Sequence, residues 1–353
     1  MQRRAFLQSL VGSGVLTQVS SARAEQDAVA PPPVATTHAG PLTFFSVQAA
    51  PDLATVSADV VFLGVRSDAG HAGNTGTRLG PNSIREASVI GEGAQPATND
   101  AGFYDWELGA RILAGVRLVD AGNLAIPPGA PTVTRERVTA AVATIIGRGA
   151  MPIVFGGDHS ITFPILRGFR TAPRKVHVIH FNSHHDFGAT TGPGDAGGLL
   201  YTHGNHLRHG VDLPWVSGIT MIGLRGLRRL ENAAAEARRR GIQMLSASQV
   251  TRMGAEKTVA QIPAAESYYV TFDIDVIDPS LAPGTGTPVP GGFTYYQASE
   301  LLEAIAAKGH IAGFDMMEVS PPYDFQNTTS RLAGHLIMRF LASVFAARAK
   351  GPR

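Results

Sequence analysis

The sequence of 353 residues contains no cysteine. This absence excludes disulfide bonds, thiolate metal ligands and a cysteine nucleophile. Charged residues make up only 16 % of the chain and hydrophobic residues 44 %, which excludes a disordered chain and predicts a globular one with a large core. After the N-terminal segment, no stretch is long and apolar enough to predict a membrane span, so no stable membrane anchor is expected.

The first 24 residues have the features of an export signal. Arg3 and Arg4 precede a weakly apolar run, and Ala22 and Ala24 frame a small-x-small cleavage site. The paired arginines resemble a twin-arginine signal, which predicts a periplasmic protein cleaved after residue 24; a frayed N-terminal helix is the alternative. The segment holds three arginines and no acids, so the chain without it would carry 30 − 3 = 27 basic and 28 acidic residues. The mature chain therefore gives no reason to expect a nucleic-acid partner.

The rest of the chain alternates between strand-like and helical runs. Residues 25–58, which include Pro31–Pro33, are predicted to form a linker or N-terminal extension. Residues 59–353 contain eight strand-like runs separated by helical spans, and neither a repeat nor a second boundary interrupts them. This pattern predicts one α/β domain built on a mostly parallel eight-stranded sheet.

Three of the predicted strands end in polar clusters. The buried run 176–181 is followed by the polar cluster Asn182–Asp186, and two other strands end at His159 and at Asp273 and Asp275. A polar loop that caps a strand is the alternative interpretation of any one such cluster. Because ligands bind at the carboxyl ends of parallel strands, three clusters in one sheet favour a metal centre instead.

The candidate metal ligands are two histidines, three carboxylates and one amide, namely His159, Asn182, His184, Asp186, Asp273 and Asp275. This set is too large for one small ion and suits two divalent cations of intermediate hardness, such as Mn²⁺. Two such ions about 3.5–4 Å apart can hold a hydroxide between them as a nucleophile.

These clusters resemble the motifs of the ureohydrolases, the family of arginase and agmatinase. The similar segments are residues 156–160, 184–186, 271–279 and 317–321, together with the glycine-rich loop 76–85, which is closer to agmatinases. The resemblance implies a three-layer α/β/α fold and a trimer or hexamer. It also implies hydrolysis of a guanidino group to urea and an amine on two manganese ions.

The resemblance also assigns roles to individual residues. It implies that His159 and Asp186 bind one ion, that His184 and Asp275 bind the other, and that Asp273 bridges both. His203 matches the histidine that transfers protons, with a structural loop histidine as the alternative. Glu318 matches the carboxylate that pairs with the guanidinium, with an ordinary strand-end carboxylate as the alternative.

The sequence departs from this family at Asn182, where the usual motif has a second bridging aspartate. A neutral amide is a poor bridge, and three carboxylates with a hydroxide supply only about −4 against about +4 from two ions. One ion is therefore expected to bind weakly, or the preferred metal to change. His185 adds a nitrogen donor that we expect to face away from the site. A similar exchange of an acid for an amide occurs at Asn123.

The leading hypothesis is metal-dependent, agmatinase-like hydrolysis of a small guanidino compound. One alternative is a weakened or inactive periplasmic homologue that binds a guanidino ligand. Another is hydrolysis of a different amide or amidine on an altered metal centre. The sequence does not distinguish agmatine from guanidinobutyrate, other guanidino acids or guanidine.

Overall fold

A nine-stranded sheet forms the centre of the protein, seen here in a computed structural model that describes residues 42–71, 73–90, 101–190, 200–227 and 231–351. The strands are β1 Gln48–Ala49, β2 Val60–Gly64, β3 Phe103–Asp105, β4 Ala110–Ile112, β5 Leu118–Asn123, β6 Met151–Phe155, β7 Val176–Phe181, β8 Val216–Leu224, β9 Gln243–Ser246, β10 Ser267–Asp273 and β11 Ile311–Met317. The order in the central sheet is β1-β5-β2-β6-β11-β10-β7-β8-β9, and all its neighbours pair in parallel. Strands β3 and β4 form a separate antiparallel hairpin.

Helices cover both faces of this sheet. They are α1 Gly80–Val89, α2 Pro131–Gly147, α3 Thr162–Gly168, α4 His206–Gly210, α5 Glu231–Arg239, α6 Ala247–Met253, α7 Ala255–Gln261, α8 Tyr295–Lys308 and α9 Thr328–Ala349. One apolar core joins β7 and β10 to α8 and α9, and a second joins the opposite face of those strands to α2 and α3. The three-layer α/β/α prediction is therefore confirmed.

The central strands are apolar along their whole length because both of their faces are covered. Every residue of β6, β7 and β10 is buried. Within β7, Ile179 and Phe181 face the α8–α9 side, and Val176 and Val178 face the α2–α3 side. Successive side chains of one strand therefore belong to different cores.

The sheet has one more strand than the eight that the sequence predicts. The additional strand, β1, lies in residues 25–58, the predicted linker or extension, and pairs with β5 at the edge of the sheet. Phe44 and Phe45 are buried in the core beside it. The described part of that segment, from residue 42 onward, thus belongs to the fold, while the predicted signal, residues 1–24, lies outside the described residues.

Helix α9 is long and apolar enough to cross a membrane by length and composition alone, contrary to the sequence expectation that no such stretch follows the N-terminal segment. In the structure Leu336, Ile337 and Leu341 of this helix are fully buried, and the helix packs against α8 and α1. A core helix satisfies the same length and composition test.

Candidate active site

The strand order brings the predicted site residues together. Strands β6, β11, β10 and β7 are consecutive neighbours at the middle of the sheet. Their carboxyl ends lead into His159, Glu318, Asp273 and the segment 182–186 respectively. Since parallel strands end at one edge, these side chains meet there, and His203 joins them from the loop before α4.

The second predicted ion position is formed by His184, Asp273 and Asp275. His184 Nδ1 lies 2.9 Å from Asp275 Oδ2. The backbone N–H of Ser183 donates to Asp275 Oδ1 over 3.0 Å, and the Asp275 N–H donates to Asp273 Oδ1 over 2.8 Å. These contacts fix two carboxylates and an imidazole in one place, which is a donor set that a divalent ion accepts.

The first predicted position is centred on His159. Its Nδ1 lies 3.1 Å from Asp273 Oδ2 and 3.6 Å from Asp186 Oδ2. Its Nε2 lies 2.7 Å from the hydroxyl of Thr271, the residue on β10 two positions before Asp273. With Nε2–H donating to that hydroxyl, the lone pair on Nδ1 faces the two carboxylates, as a metal ligand requires.

Asn182 alters this first position. Its Nδ2 donates to Asp186 Oδ2 over 2.7 Å and to Asp273 Oδ2 over 3.1 Å, and it lies 3.2 Å from His159 Nδ1. Its Oδ1 accepts the backbone N–H of His184 over 2.7 Å. Exchanging the oxygen and nitrogen of the amide would place its NH₂ group against that N–H, so the orientation is fixed. The amide thus presents N–H groups where the family arrangement needs a bridging carboxylate. The side chains at the second ion position therefore suit a divalent ion. Those at the first position do not suit an ion that shares a bridging carboxylate, as the family motif implies.

Sequence reasoning missed two histidines that border the first position. His180 Nε2 lies 3.2 Å from Asn182 Nδ2 and 3.4 Å from Asp186 Oδ2. His206, the first residue of α4, stacks on His159 with ring centroids 4.2 Å apart. Residues i and i+2 of a strand share a face, so the spacing of His180 from Asn182 was a usable signal. No local pattern predicted His206, because it reaches the site from a loop and a short helix.

Burial and charge set the protonation of this group of residues. Burial holds the pKa of His159 well below its ordinary value, and it lowers the pKa of His206 to about 4. Burial and the neighbouring carboxylates raise the pKa of Asp273 well above its ordinary value. Burial acts in the same direction on Asp186, but the hydrogen bond from His180 and the nearby imidazoles outweigh it and lower its pKa. The imidazoles of His159 and His206 are thus neutral near pH 7, as ligands must be.

Glu318 is the centre of a second cluster. It is only 1 % exposed, and its Oε1 accepts the backbone N–H of His159 over 2.9 Å and lies 3.2 Å from His203 Nδ1. Its Oε2 has no hydrogen-bond partner among the described residues. His71, a residue that the sequence analysis did not single out, places Nε2 3.3 Å from Oε2 but outside hydrogen-bond geometry.

The pairing with Glu318 changes the acidity of His203. Burial lowers the pKa of His203, but the hydrogen bond and charge of Glu318 outweigh burial and raise it to about 9. Burial raises the pKa of Glu318, while His203 and His71 together lower it to about 2. At neutral pH the pair is therefore a protonated imidazole beside an ionised carboxylate.

Two of the site residues have left-handed backbone conformations. Asp186 has φ of 43° and Glu318 has φ of 65°, and neither is a glycine. Such conformations are uncommon outside glycine and persist where the surrounding structure holds them, often at functional sites.

A cavity of about 770 Å³ opens in front of the second ion position. The residues that line it include His184, Asp186, His203 and Asp273. His185 lines it as well, and its Nδ1 accepts the backbone N–H of Phe187 over 2.8 Å. The cavity has room for a small ligand, and of the two predicted catalytic residues His203 lines it while Glu318 lies buried behind His203.

A family model for the arginase family matches residues 58–342. The chain belongs to the arginase family. An agmatinase of Proteus mirabilis is 34 % identical over 296 residues, which cover 82 % of this chain and 89 % of that protein. A guanidinobutyrase of Pseudomonas aeruginosa is 33 % identical over 288 residues, covering 80 % and 85 %. The solved structure of proclavaminate amidinohydrolase from Streptomyces clavuligerus superimposes with a TM-score of 0.75 at 28 % identity, covering 88 % of this chain and 99 % of that one.

Family membership makes this chain an arginase-family guanidino hydrolase by homology. Enzymes of the arginase family depend on a binuclear metal centre. The difference at Asn182 therefore concerns the part of the site on which the family's chemistry depends. The roles that the sequence analysis gave to individual ligands stay predictions, although the structure places all of them at one edge of the sheet.

Proposed function

We propose that this arginase-family protein hydrolyses the guanidino group of a small, agmatine-like compound to urea and an amine. The observation that supports the proposal most directly is the buried Oε2 of Glu318, which has no hydrogen-bond partner among the described residues. A buried, ionised carboxylate oxygen without a donor is costly. A guanidinium offers planar N–H donors that match a carboxylate, so such a substrate satisfies it.

The chain's own residues have distinct tasks in this reaction. Glu318 holds the guanidinium, and the imidazolium of His203, 3.2 Å from Glu318 Oε1, donates a proton to the leaving amine. Water adds its oxygen to the guanidinium carbon, the bond from that carbon to the alkyl nitrogen breaks, and the other two nitrogens remain in urea. A divalent ion held by His184, Asp273 and Asp275 would lower the pKa of water and so favour the attacking hydroxide.

The proposal is tested by urea release from a panel of agmatine, 4-guanidinobutyrate, 3-guanidinopropionate, arginine and guanidine. Agmatine and 4-guanidinobutyrate deserve comparison first, because relatives with those substrates in their names are about one-third identical to this chain. Glu303→Gln is a suitable control for Glu318→Gln, since it removes a carboxylate from helix α8 and not from the site. Absence of urea with every compound and every divalent metal would overturn the proposal.

Asn182 supports a second candidate, a homologue that binds a guanidino ligand without hydrolysing it. Glu318 would still hold the ligand, whereas the altered first ion position would not support the family's chemistry. Calorimetric binding of agmatine or 4-guanidinobutyrate without any urea release would favour this candidate over the first.

We further propose that the protein is exported through a twin-arginine signal and acts in the periplasm as a trimer or hexamer. Arg3 and Arg4 support the export signal, and family resemblance supports the assembly. Light scattering of the purified chain tests the assembly, and a monomer would contradict it.

A further inference from the structure

A cluster of three buried imidazoles and one carboxylate lies at the first ion position. It consists of His159, His180, Asp186 and His206, and one potential ligand atom from each lies within 4.8 Å of all the others. We propose that this cluster binds a single ion of the zinc, nickel or cobalt class, in place of the first manganese of the family arrangement. The inference deepens the proposed function, because the ion would serve the same site.

Three distances to one carboxylate oxygen carry the proposal. Asp186 Oδ2 lies 3.4 Å from His180 Nε2, 3.6 Å from His159 Nδ1 and 3.6 Å from His206 Nδ1, the nearer ring nitrogen of that residue. The donors of a tetrahedral ion with bonds of about 2.0–2.2 Å lie about 3.3–3.6 Å apart. The spacing of His180 Nε2 and His159 Nδ1 from the carboxylate therefore already matches that of a four-coordinate site, and His206 joins through Nε2 once its ring has turned.

The chemistry of the donors selects the class of metal. Three nitrogens and one oxygen suit zinc, nickel or cobalt, whereas manganese is better served by a set dominated by carboxylates. All four residues are at most 5 % exposed, so neither bulk water nor a surface carboxylate competes for the position. The loss of the bridging carboxylate at Asn182 and the presence of His206 thus favour the same type of ion.

Hydrogen bonds leave the required nitrogens available. His159 Nε2–H donates to the Thr271 hydroxyl over 2.7 Å, so the lone pair of His159 is on Nδ1 and points toward Asp186. His206 donates from Nδ1 to the carbonyl of His203 over 2.9 Å, and its buried Nε2 has no hydrogen-bond partner among the described residues. An unpartnered, buried imidazole nitrogen is the feature expected of a metal ligand.

Two adjustments accompany binding. The rings of His206 and His159 are nearly parallel, at 16°, and displaced parallel rings cannot both direct lone pairs at one ion. The His206 ring therefore turns out of the stack. The ion also replaces the Asn182 amide as the partner of Asp186 Oδ2, which releases the contact that now spans 2.7 Å.

The number of imidazoles around the ion tests the proposal. Purified protein is stripped with a chelator and reloaded with one equivalent of zinc, and X-ray absorption spectroscopy then counts the histidine ligands. We expect about three imidazoles per zinc ion, because His159, His180 and His206 all bind it. One imidazole per ion, as each ion has in the family arrangement, would overturn the proposal without any variant being needed.

A pair of variants on α4 identifies the new ligand. His206→Leu should lower the imidazole count by one and weaken zinc binding by about tenfold or more. His209→Leu, one turn along the same helix, removes an imidazole that donates to the Leu200 carbonyl and stacks on Tyr201, and it should change neither quantity. Equal zinc affinity and equal count in the two variants would exclude His206 as a ligand.

This experiment measures binding and not turnover. Three imidazoles around zinc without urea release would sustain the metal site and contradict the hydrolase. Urea release with one imidazole per ion would sustain the hydrolase and contradict the metal site.

Discussion

The side-chain nitrogen of Asn182 lies 2.7 Å from Asp186 Oδ2. The family motif that this segment resembles has an aspartate at the equivalent position. Here the two side chains contact each other directly as donor and acceptor. This one contact explains why the first ion position differs from the second, whose ligands His184 and Asp275 keep the family's residue types.

Asn182→Asp should raise manganese occupancy from at most one ion per chain toward two, and raise urea release with it. The restored carboxylate contributes charge to both ions, and the packing of β7 around it stays the same. Asn123→Asp is the matched control: it restores a family-type acid at a residue whose amide accepts from Arg85 over 2.8 Å, away from the site. Metal analysis and urea assays at matched manganese measure both effects. A wild type that already holds two tight manganese ions would refute this account of Asn182.

The central fold was predictable because its signals are local. Strands buried on both faces, such as β6 and β10, must be continuous apolar runs, and these runs are visible in the sequence. The two-residue strand β1 was not predictable, since a segment that short has no periodicity. It joins the sheet because Phe44 and Phe45 bury their rings in the core, which is a tertiary effect.

The candidate site was predictable to the extent that it follows the strand ends. His159, Asp273 and Glu318 lie at or shortly after the ends of strands, and the strand order of the sheet brings them together. His71 and His206 belong to loops and a short helix whose paths depend on packing. A sequence pattern does not contain that information.

Glu318→Gln should slow hydrolysis roughly 30- to 1,000-fold, because a lost charge-assisted contact in a buried site costs about 2–4 kcal/mol. The metal content should not change, since Glu318 contacts the backbone of His159 and not its ring. Steady-state kinetics and metal analysis of the same preparation separate the two effects. Wild-type kinetics in the variant would mean that Glu318 only supports the fold.

His203 should titrate with a pKa of about 9 in the metal-free protein. The pKa of His203 lies above that of an unfolded histidine and the pKa of Glu318 lies below that of an unfolded glutamate, so the pair stabilises the fold fully only between about pH 4.5 and pH 6.5. The stabilisation is lost as pH rises through about 9, and again as pH falls toward about 2. NMR of labelled histidine follows the transition. In Glu318→Gln the midpoint should fall toward 6.5. A wild-type midpoint at or below 6.5 would show that the two side chains do not interact.

Replacing Arg3 and Arg4 together by lysine should retain the protein in the cytoplasm, because a twin-arginine signal is recognised through both guanidinium groups. Fractionation of cells that express each form measures the distribution. Replacement of Arg23 by lysine, which changes a basic residue at the cleavage site and keeps the pair, is the control. Equal periplasmic recovery of the double variant and wild type would exclude this signal.

The most direct test of the central claim is the identity of both products from one guanidino substrate. Wild-type protein, reloaded with divalent metal, is incubated with agmatine and with 4-guanidinobutyrate, and urea, ammonia and the alkyl product are quantified together. The account predicts urea and the corresponding amine in a 1:1 ratio, because the bond that breaks joins the guanidinium carbon to the alkyl nitrogen. Ammonia with a ureido product, or no product from either compound, would contradict it.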